Sequence, residues 1–374
     1  MSKPIRILHV LGRLDMGGAE ILIMNWYRNI DRSKIQFDFI IHTEEKCFFE
    51  EEIRLLGGKI FRVPRYIGIN HFEYKKSWED FFEKNNSYKI VHGHMRSTAS
   101  IYLKIAKRYR VATIIHSHST SSGSGISSIA KNILQFPVRY VADYLFACSK
   151  NAGEWLYGKR MCKKEKFHII KNAINIEKFM FNNEIRLNKR TELKLEDKFV
   201  VGHIGRFDYP KNHVFLIEIF NEIYKLNNKS VLLVVGDGEL RSKIEDKLNK
   251  LGLSDNAIFT GNQLDVSDLL QAMDVFVFPS LYEGLGIVTI EAQAAGLPCI
   301  VSAAVPKEET KITDLIKYIS LKCDASNWAK EVTNFNKISN RENMHKKIVE
   351  AGYELKSACD EMQEKYSIIY NESR

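Results

Sequence analysis

Two glutamates in one short stretch offer the clearest chemistry in this chain. In Pro279-Ser280-Leu281-Tyr282-Glu283-Gly284-Leu285-Gly286-Ile287-Val288-Thr289-Ile290-Glu291-Ala292 an apolar run enters a glycine-bearing turn, and a helix begins near Leu285 or Gly286. The first turn of a helix leaves N–H groups unpaired and carries the positive end of the helix dipole, which suits a phosphate. Carboxylates accept hydrogen bonds from hydroxyls, so Glu283 before the helix and Glu291 two turns along it suit a sugar or ribose. Glu291 is flanked by Ile290, Ala292, Ala294 and Ala295, where a merely solvated carboxylate is out of place. A second stretch, Gly202-His203-Ile204-Gly205-Arg206-Phe207-Asp208-Tyr209-Pro210-Lys211-Asn212, puts Arg206 and Lys211 after another apolar run. Arg binds phosphate oxygens through its planar fork and Lys as a point charge, a pairing suited to a diphosphate. Gly236-Asp237-Gly238 and Gly17-Gly18 are turns that allow close backbone approach, the latter opening an apolar helix. Two histidine pairs, His92-Gly93-His94 and His116-Ser117-His118, end successive apolar runs. Neutral imidazoles bind zinc, but no cysteine or carboxylate accompanies these at a metal-site spacing, and no metal is expected.

The elements that must position these residues follow from hydrophobic patterning. Short β-rich runs at Ile5–Leu11, Phe37–Ile41, Ile90–His92, Ala112–Ile115, Tyr144–Ala147 and Phe167–Ile170 alternate with stretches long enough for helices. The pattern repeats at Phe199–Ile204, Val231–Val235, Ala257–Phe259, Val275–Phe278 and Cys299–Val301, with helices expected over Lys211–Leu226, Glu239–Leu251 and Ile287–Ala295. Uniformly apolar runs fit strands buried on both faces of parallel sheets. Two doubly wound α/β domains result, 1–180 and 181–355. The polar stretch Asn182–Lys198 shows no buried-strand pattern, and the junction is placed near it. The final stretch, 340–370, is helical in pattern. In such sheets ligands sit beyond the carboxyl ends of the strands, where the residues above cluster.

Composition narrows the class. The 374 residues are 45% hydrophobic and 27% charged, the profile of a globular chain. Six scattered cysteines form no Cys-x-x-Cys pair, which argues against a disulfide framework or a zinc site. No apolar run approaches a membrane span, and the start does not read as a signal peptide, so a cytoplasmic location is expected. Residues 1–180 hold 30 basic and 17 acidic side chains; the remainder holds 25 and 29. The basic half suits an anionic partner. No nucleic-acid-binding motif is present, whereas the apolar and cationic stretch Ile126–Ala142 suits a membrane interface. The ordinary alternative for that stretch is a core helix.

In order and spacing these motifs resemble the retaining glycosyltransferases of family 4, which have the GT-B fold. The resemblance runs from about Ile5 to Val301. It rests on the Glu-x7-Glu pair Glu283 and Glu291, Gly17-Gly18-Ala19-Glu20, His116, Gly205-Arg206 with Lys211-Asn212, Gly236-Asp237-Gly238, Phe259-Thr260-Gly261 and Ala295-Gly296-Leu297-Pro298. It implies sugar transfer from a nucleotide-sugar, with a UDP-sugar as the family's habit, and no metal or other cofactor. On that analogy Arg206, Lys211 and Gly236 bind the donor diphosphate region, and the N–H groups of Gly286, Ile287 and Val288 support phosphate or sugar. Glu291 binds the ribose, Glu283 contacts the donor sugar, and Asn262 and Gln263 touch the base. Gly17 and Gly18 approach the diphosphate from the other domain. His116 stands near the reacting sugar as a catalytic residue, and His94 and His118 face the acceptor. The final helix, about 356–374, crosses back to the first domain. A softer similarity, to bacterial exopolysaccharide and capsule enzymes, implies a lipid-linked saccharide acceptor and a peripheral position at the inner face of the plasma membrane. One departure is plain: Ser302-Ala303-Ala304-Val305-Pro306-Lys307-Glu308-Glu309 lacks the family's usual glycine pair. The competing enzyme class is a sugar-nucleotide epimerase of the same architecture. A dinucleotide oxidoreductase is disfavoured, because no Gly-x-Gly-x-x-Gly follows the first strand.

Overall fold

The structure, a computed structural model, describes residues 3–123, 126–334 and 341–373, with backbone only at 126 and 127. Residue 340 of the expected C-terminal helical stretch and residue 374 of the expected final helix lie outside the described residues. The chain divides into two compact units, 1–173 with 355–374, and 174–354.

The first unit is built on β1 (Ile5–Leu11), β2 (Ile35–Ile41), β3 (Ile60–Arg62), β4 (Ile90–Gly93), β5 (Ala112–Ser117), β6 (Tyr144–Ala147) and β7 (Phe167–Ile169). They pair in parallel in the order β3-β2-β1-β4-β5-β6-β7. β2 is buried along its whole length although it contains Asp38. That carboxylate is fully committed: it accepts from Arg6 Nε and Nη2 (both 2.5 Å), Tyr88 Oη (2.6 Å) and Lys59 N (2.7 Å). A buried charge is tolerable only with such partners. Trp26, Tyr27, Phe37, Phe39 and Phe146 pack in the core with the C-terminal helix Leu355–Glu372, which contributes Cys359, Met362, Tyr366 and Ile369.

The second unit is built on β8 (Phe199–Ile204), β9 (Ser230–Val235), β10 (Ala257–Phe259), β11 (Val275–Phe278), β12 (Cys299–Ser302) and β13 (Ile316–Ile319), parallel and ordered β10-β9-β8-β11-β12-β13. Leu216, Phe220, Leu232, Val234, Val277 and Trp328 are among its buried core residues. In each unit the strand order reverses beside the first strand, between β1 and β4 and between β8 and β11. Loops leaving that reversal diverge and open a crevice, so it is the expected place for ligands.

The polar stretch Asn182–Lys198 holds no strand, as expected, and the junction placed near it needs correction. Most of it is the helix Asn183–Glu192, capped by the Asn182 side chain, and its Arg186 and Arg190 both bond Asp274 (2.5 and 3.1 Å). The first boundary falls at 173/174 instead of 180/181, because Ile174 N donates to Tyr353 O (2.9 Å) and Gln271 Nε2 donates to Phe179 O (3.2 Å). The other boundary falls at 354/355, one residue before that expected. With these bounds the first unit holds 32 basic and 20 acidic side chains, the second 23 and 26. Among the described residues no helix is long and apolar enough to cross a membrane.

Tyr366 is fully buried and bonds His92. Replacing Tyr366 with Ala is expected to cost about 3–5 kcal/mol, as for other large buried aromatics. Denaturant unfolding of the full chain measures it; a loss below about 1 kcal/mol would show that the C-terminal helix contributes little to this core.

Candidate functional site

In the second unit the turns after β8 and β11 are fastened together. Leu281 N donates to Pro210 O (2.8 Å), and Asn212 Nδ2 donates to Pro279 O (3.1 Å). Lys211 Nζ then lies 2.6 Å from Glu283 Oε1 and 4.8 Å from the centroid of the Phe278 ring. Both side chains are largely withdrawn from water, at 20% and 12% exposure. Glu283 thus fixes the ammonium in place, and the half-buried setting strengthens its field. Beside the pair, Gly286 caps the helix Ile287–Ala294 in the left-handed region (φ 81°), where a side chain is strained and its Cβ would crowd Val305. No side chain caps this helix, so the first-turn N–H groups, those of Ile287 and Val288, remain available to an anion.

Glu291 sits on the same helix. Burial, with a smaller contribution from the Asp265 charge, pushes its carboxyl up to about 7. The loop that carries Asp265 also carries Asn262 and Gln263. Both are exposed, and Gln263 Nε2 donates to Thr260 O (2.8 Å). Arg206 is 72% exposed and bonds Asp208 (3.2 Å). Gly236 is required as glycine, since a Cβ there would lie 2.3 Å from Gly205 O. Its N–H donates to Gly261 O (2.9 Å), which ties the Gly236–Gly238 turn to the loop after β10. The expected donor residues of this unit therefore lie in turns bonded to one another at the carboxyl ends of adjacent strands or, for Ile287, Val288 and Glu291, on the helix that one of those turns leads into.

In the first unit the histidines gather more tightly than their spacing suggested. β-strand side chains alternate between faces, so His92 and His94 share one, as do His116 and His118. His9 pairs directly with His92 in register and joins them. His9 Nδ1 meets His94 Nε2 at 3.0 Å, and His94 Nδ1 meets His118 Nε2 at 2.8 Å. His92 Nδ1 meets Tyr366 Oη at 2.7 Å. His116 stacks on His118 at 4.0 Å and lies parallel to His92 at 5.4 Å. Burial keeps all five rings neutral, with His9 and His118 drawn down to about 3 and the others also well below the usual range. His116, expected at the reacting sugar, is fully buried with both ring nitrogens unpartnered among the described residues. His118 is the member of the cluster that reaches the surface. His9 was missed from sequence because it lies unmarked inside an apolar strand; only strand register reveals it. Gly17 caps the helix Gly18–Asn29 in extended conformation, and a Cβ on Gly18 would meet open space.

The segment Ile126–Ala142 is not a core helix. It is the helix Ile126–Gln135 followed, past Pro137, by the turn Val138–Val141. Ile129, Ile133, Phe136 and Tyr140 are all exposed, whereas Ser128 and Gln135 are buried. A separate cavity of about 630 Å³, lined by Tyr140, Tyr144, Lys166, His168, Lys365 and Glu372 among others, includes the starts of β6 and β7 and contains none of the expected site residues.

Glu291 makes stability depend on pH. Its folded pKa, about 7, exceeds the ordinary 4.5, so the native state holds a proton that the unfolded chain has released. Stability due to this group is present below about pH 4.5 and is lost as pH rises through about 7. The Glu291→Gln variant is therefore expected to match wild type near pH 4 and exceed it by up to about 3 kcal/mol at pH 8, as read by urea unfolding. A difference that does not change with pH would contradict the assignment.

Comparison with known proteins identifies the family and the fold. Residues 184–355 match the family model for glycosyl transferases group 1, and residues 16–178 match that for glycosyltransferase family 4. The chain is 32% identical over 376 residues to EpsF of Bacillus subtilis (strain 168), covering 98% of this chain and 97% of EpsF. It is 30% identical over 232 residues to the UDP-Gal:alpha-D-GlcNAc-diphosphoundecaprenol alpha-1,3-galactosyltransferase of Escherichia coli, covering 59% of each. The crystal structure of Anabaena HepE in complex with UDP and glucose superposes with a TM-score of 0.80 at 16% identity, over 97% of this chain and 99% of that one. The fold is GT-B, and the chain belongs to the family 4 glycosyltransferases.

Proposed function

We propose that this glycosyltransferase moves a hexose from a UDP-sugar, with retention at the anomeric carbon, to a lipid-linked saccharide in exopolysaccharide or capsule assembly. The observation that carries the donor half of this reading is the Lys211–Glu283 pair beside the uncapped helix that starts at Ile287. Breaking the sugar–phosphate bond leaves negative charge on the diphosphate. Fixed charges and N–H dipoles aimed at that charge lower the barrier, because they need no reorganisation as it develops. Lys211, Arg206 and the N–H groups of Gly286, Ile287 and Val288 supply them, with Gly236 allowing close approach. Positive charge from the chain itself replaces a divalent ion at the donor. Glu291 takes the ribose hydroxyls, Asn262 and Gln263 the base, and Glu283 the sugar. HepE, named with UDP and glucose, supports the choice of nucleotide.

In the first unit, Gly17 and Gly18 open a helix suited to an anion, and His94 and His118 are the hydrogen-bonding groups for the acceptor. Neutral imidazole can both donate and accept, which suits hydroxyls. His116 acts behind His118. The excess of basic residues and the exposed apolar side chains Ile129, Ile133, Phe136 and Tyr140 suit an anionic membrane surface at its cytoplasmic face. The undecaprenol-linked substrate named for the Escherichia coli relative supports a lipid-linked acceptor.

A thermal-shift panel of UDP, GDP and ADP, with and without EDTA, tests the donor half. Ligands that bind only the native state stabilise it by mass action, by about 2.7 kcal/mol at a hundredfold excess over Kd, and so raise the melting temperature. UDP is expected to shift wild type unaffected by EDTA and to shift Glu291→Ala much less. A shift with GDP alone, or one abolished by EDTA, would overturn the UDP or the metal-free assignment respectively. Flotation with anionic liposomes tests the acceptor half: wild type should float, and reversing two exposed lysines of the basic first unit, Lys163→Glu with Lys164→Glu in the run 159–164, should make it float less. No flotation of wild type would remove the membrane reading.

A further inference from the structure

We propose that His94, His116 and His118 bind one divalent transition-metal cation of the zinc class, separate from the donor site and inhibitory in effect. These three rings each offer a nitrogen, and the three nitrogens lie within 4.8 Å of one another. Tetrahedral zinc holds imidazole nitrogens at about 2.0–2.1 Å, which sets their mutual separation at about 3.3 Å. The 2.8 Å contact between His94 Nδ1 and His118 Nε2 must open by about half an ångström, and His116 must close in. Both motions are small ring rotations. His116 invites them: it is fully buried, and neither of its nitrogens has a hydrogen-bond partner among the described residues. Leaving a buried polar group unpaired is unfavourable, and ligation relieves it at the coordinating nitrogen.

The surroundings also fit a metal ligand set. Ligating histidines usually give their second nitrogen to an orienting acceptor. His94 can coordinate through Nδ1 while its Nε2–H donates to His9 Nδ1 at 3.0 Å. The alternative trio, His9, His92 and His94, is wholly enclosed, and Tyr366 already occupies His92 Nδ1. His118, by contrast, reaches the surface and offers an entry path. A cation here removes the lone pairs proposed above for the acceptor, so it should compete with acceptor and leave UDP binding intact. That inhibition rests on the acceptor reading; the binding itself does not.

The test is Co²⁺ titration of the untagged full chain, followed by its visible d–d absorption, with Zn²⁺ displacement. One equivalent with the intensity of a tetrahedral site is expected in wild type and in His168→Ala. Affinity should fall at least tenfold in His118→Ala and in His116→Ala. Anomalous scattering from a Zn²⁺-soaked wild-type crystal should show the ion between these rings, which needs no variant to fold. Absence of the tetrahedral spectrum, equal affinity in the variants, or an ion found elsewhere would each overturn the proposal. If the ion binds there but transfer is not inhibited, the metal site stands and the acceptor role of these rings falls.

Discussion

The donor chemistry proposed for the second unit depends on a lysine held by a glutamate, both largely shielded from water. Lys211 comes from the turn after β8 and Glu283 from the turn after β11, two strands adjacent at the reversal of strand order. Neither turn alone would localise a charge, because an exposed lysine is mobile and strongly hydrated. The backbone bond from Leu281 to Pro210 and the side-chain bond from Asn212 to Pro279 O bring the turns into contact, and the ion pair then fixes one cation near the start of a helix that no side chain caps. Exposed ion pairs contribute little to stability, but this one is half-buried and specifies geometry. The glycines serve the same end: Gly236 lets its turn lie against Gly205, and Gly286 turns the chain into the helix.

The first unit obeys the same rule with different side chains. Parallel strands deliver their following turns to one edge, and period-two alternation puts His9, His92, His94, His116 and His118 on one face. What results is a stack of neutral rings joined edge to edge, closed below by Tyr366 from the C-terminal helix. The last helix of the chain therefore has a part in ordering residues at the carboxyl ends of β4 and β5, although it lies more than 200 residues further along the sequence.

Much of this was legible in the sequence because buried parallel strands are short, uniformly apolar runs. The expected runs fall on strands, with ends shifted by a residue or two. β3 and β13 escaped notice because neither is a uniformly apolar run: Ile60–Arg62 is three residues long and ends on Arg62, and Ile316–Ile319 carries exposed Lys317. The helix Asn183–Glu192 escaped because arginine contacts to Asp274 and to backbone carbonyls, not an apolar stripe, hold it in place. Glu283 and Glu291 could be singled out from their neighbours' character. The pairing of Glu283 with Lys211, 72 residues earlier, could not, since it depends on which turns the topology makes adjacent. The apolar face of Ile126–Gln135 was visible in composition, but whether it faced the core or the solvent was decided by packing.

The central claim is that Lys211 binds the diphosphate and Glu283 orients both it and the sugar. Comparing UDP affinity with sugar transfer in Lys211→Met and Glu283→Gln separates these roles. The account predicts that Lys211→Met loses at least tenfold in UDP affinity. Glu283→Gln should keep UDP affinity within about threefold, or tighten it as the lysine is freed, while transfer falls about a hundredfold or more. Unchanged UDP affinity in Lys211→Met, or equal losses of UDP affinity in both variants, would contradict it.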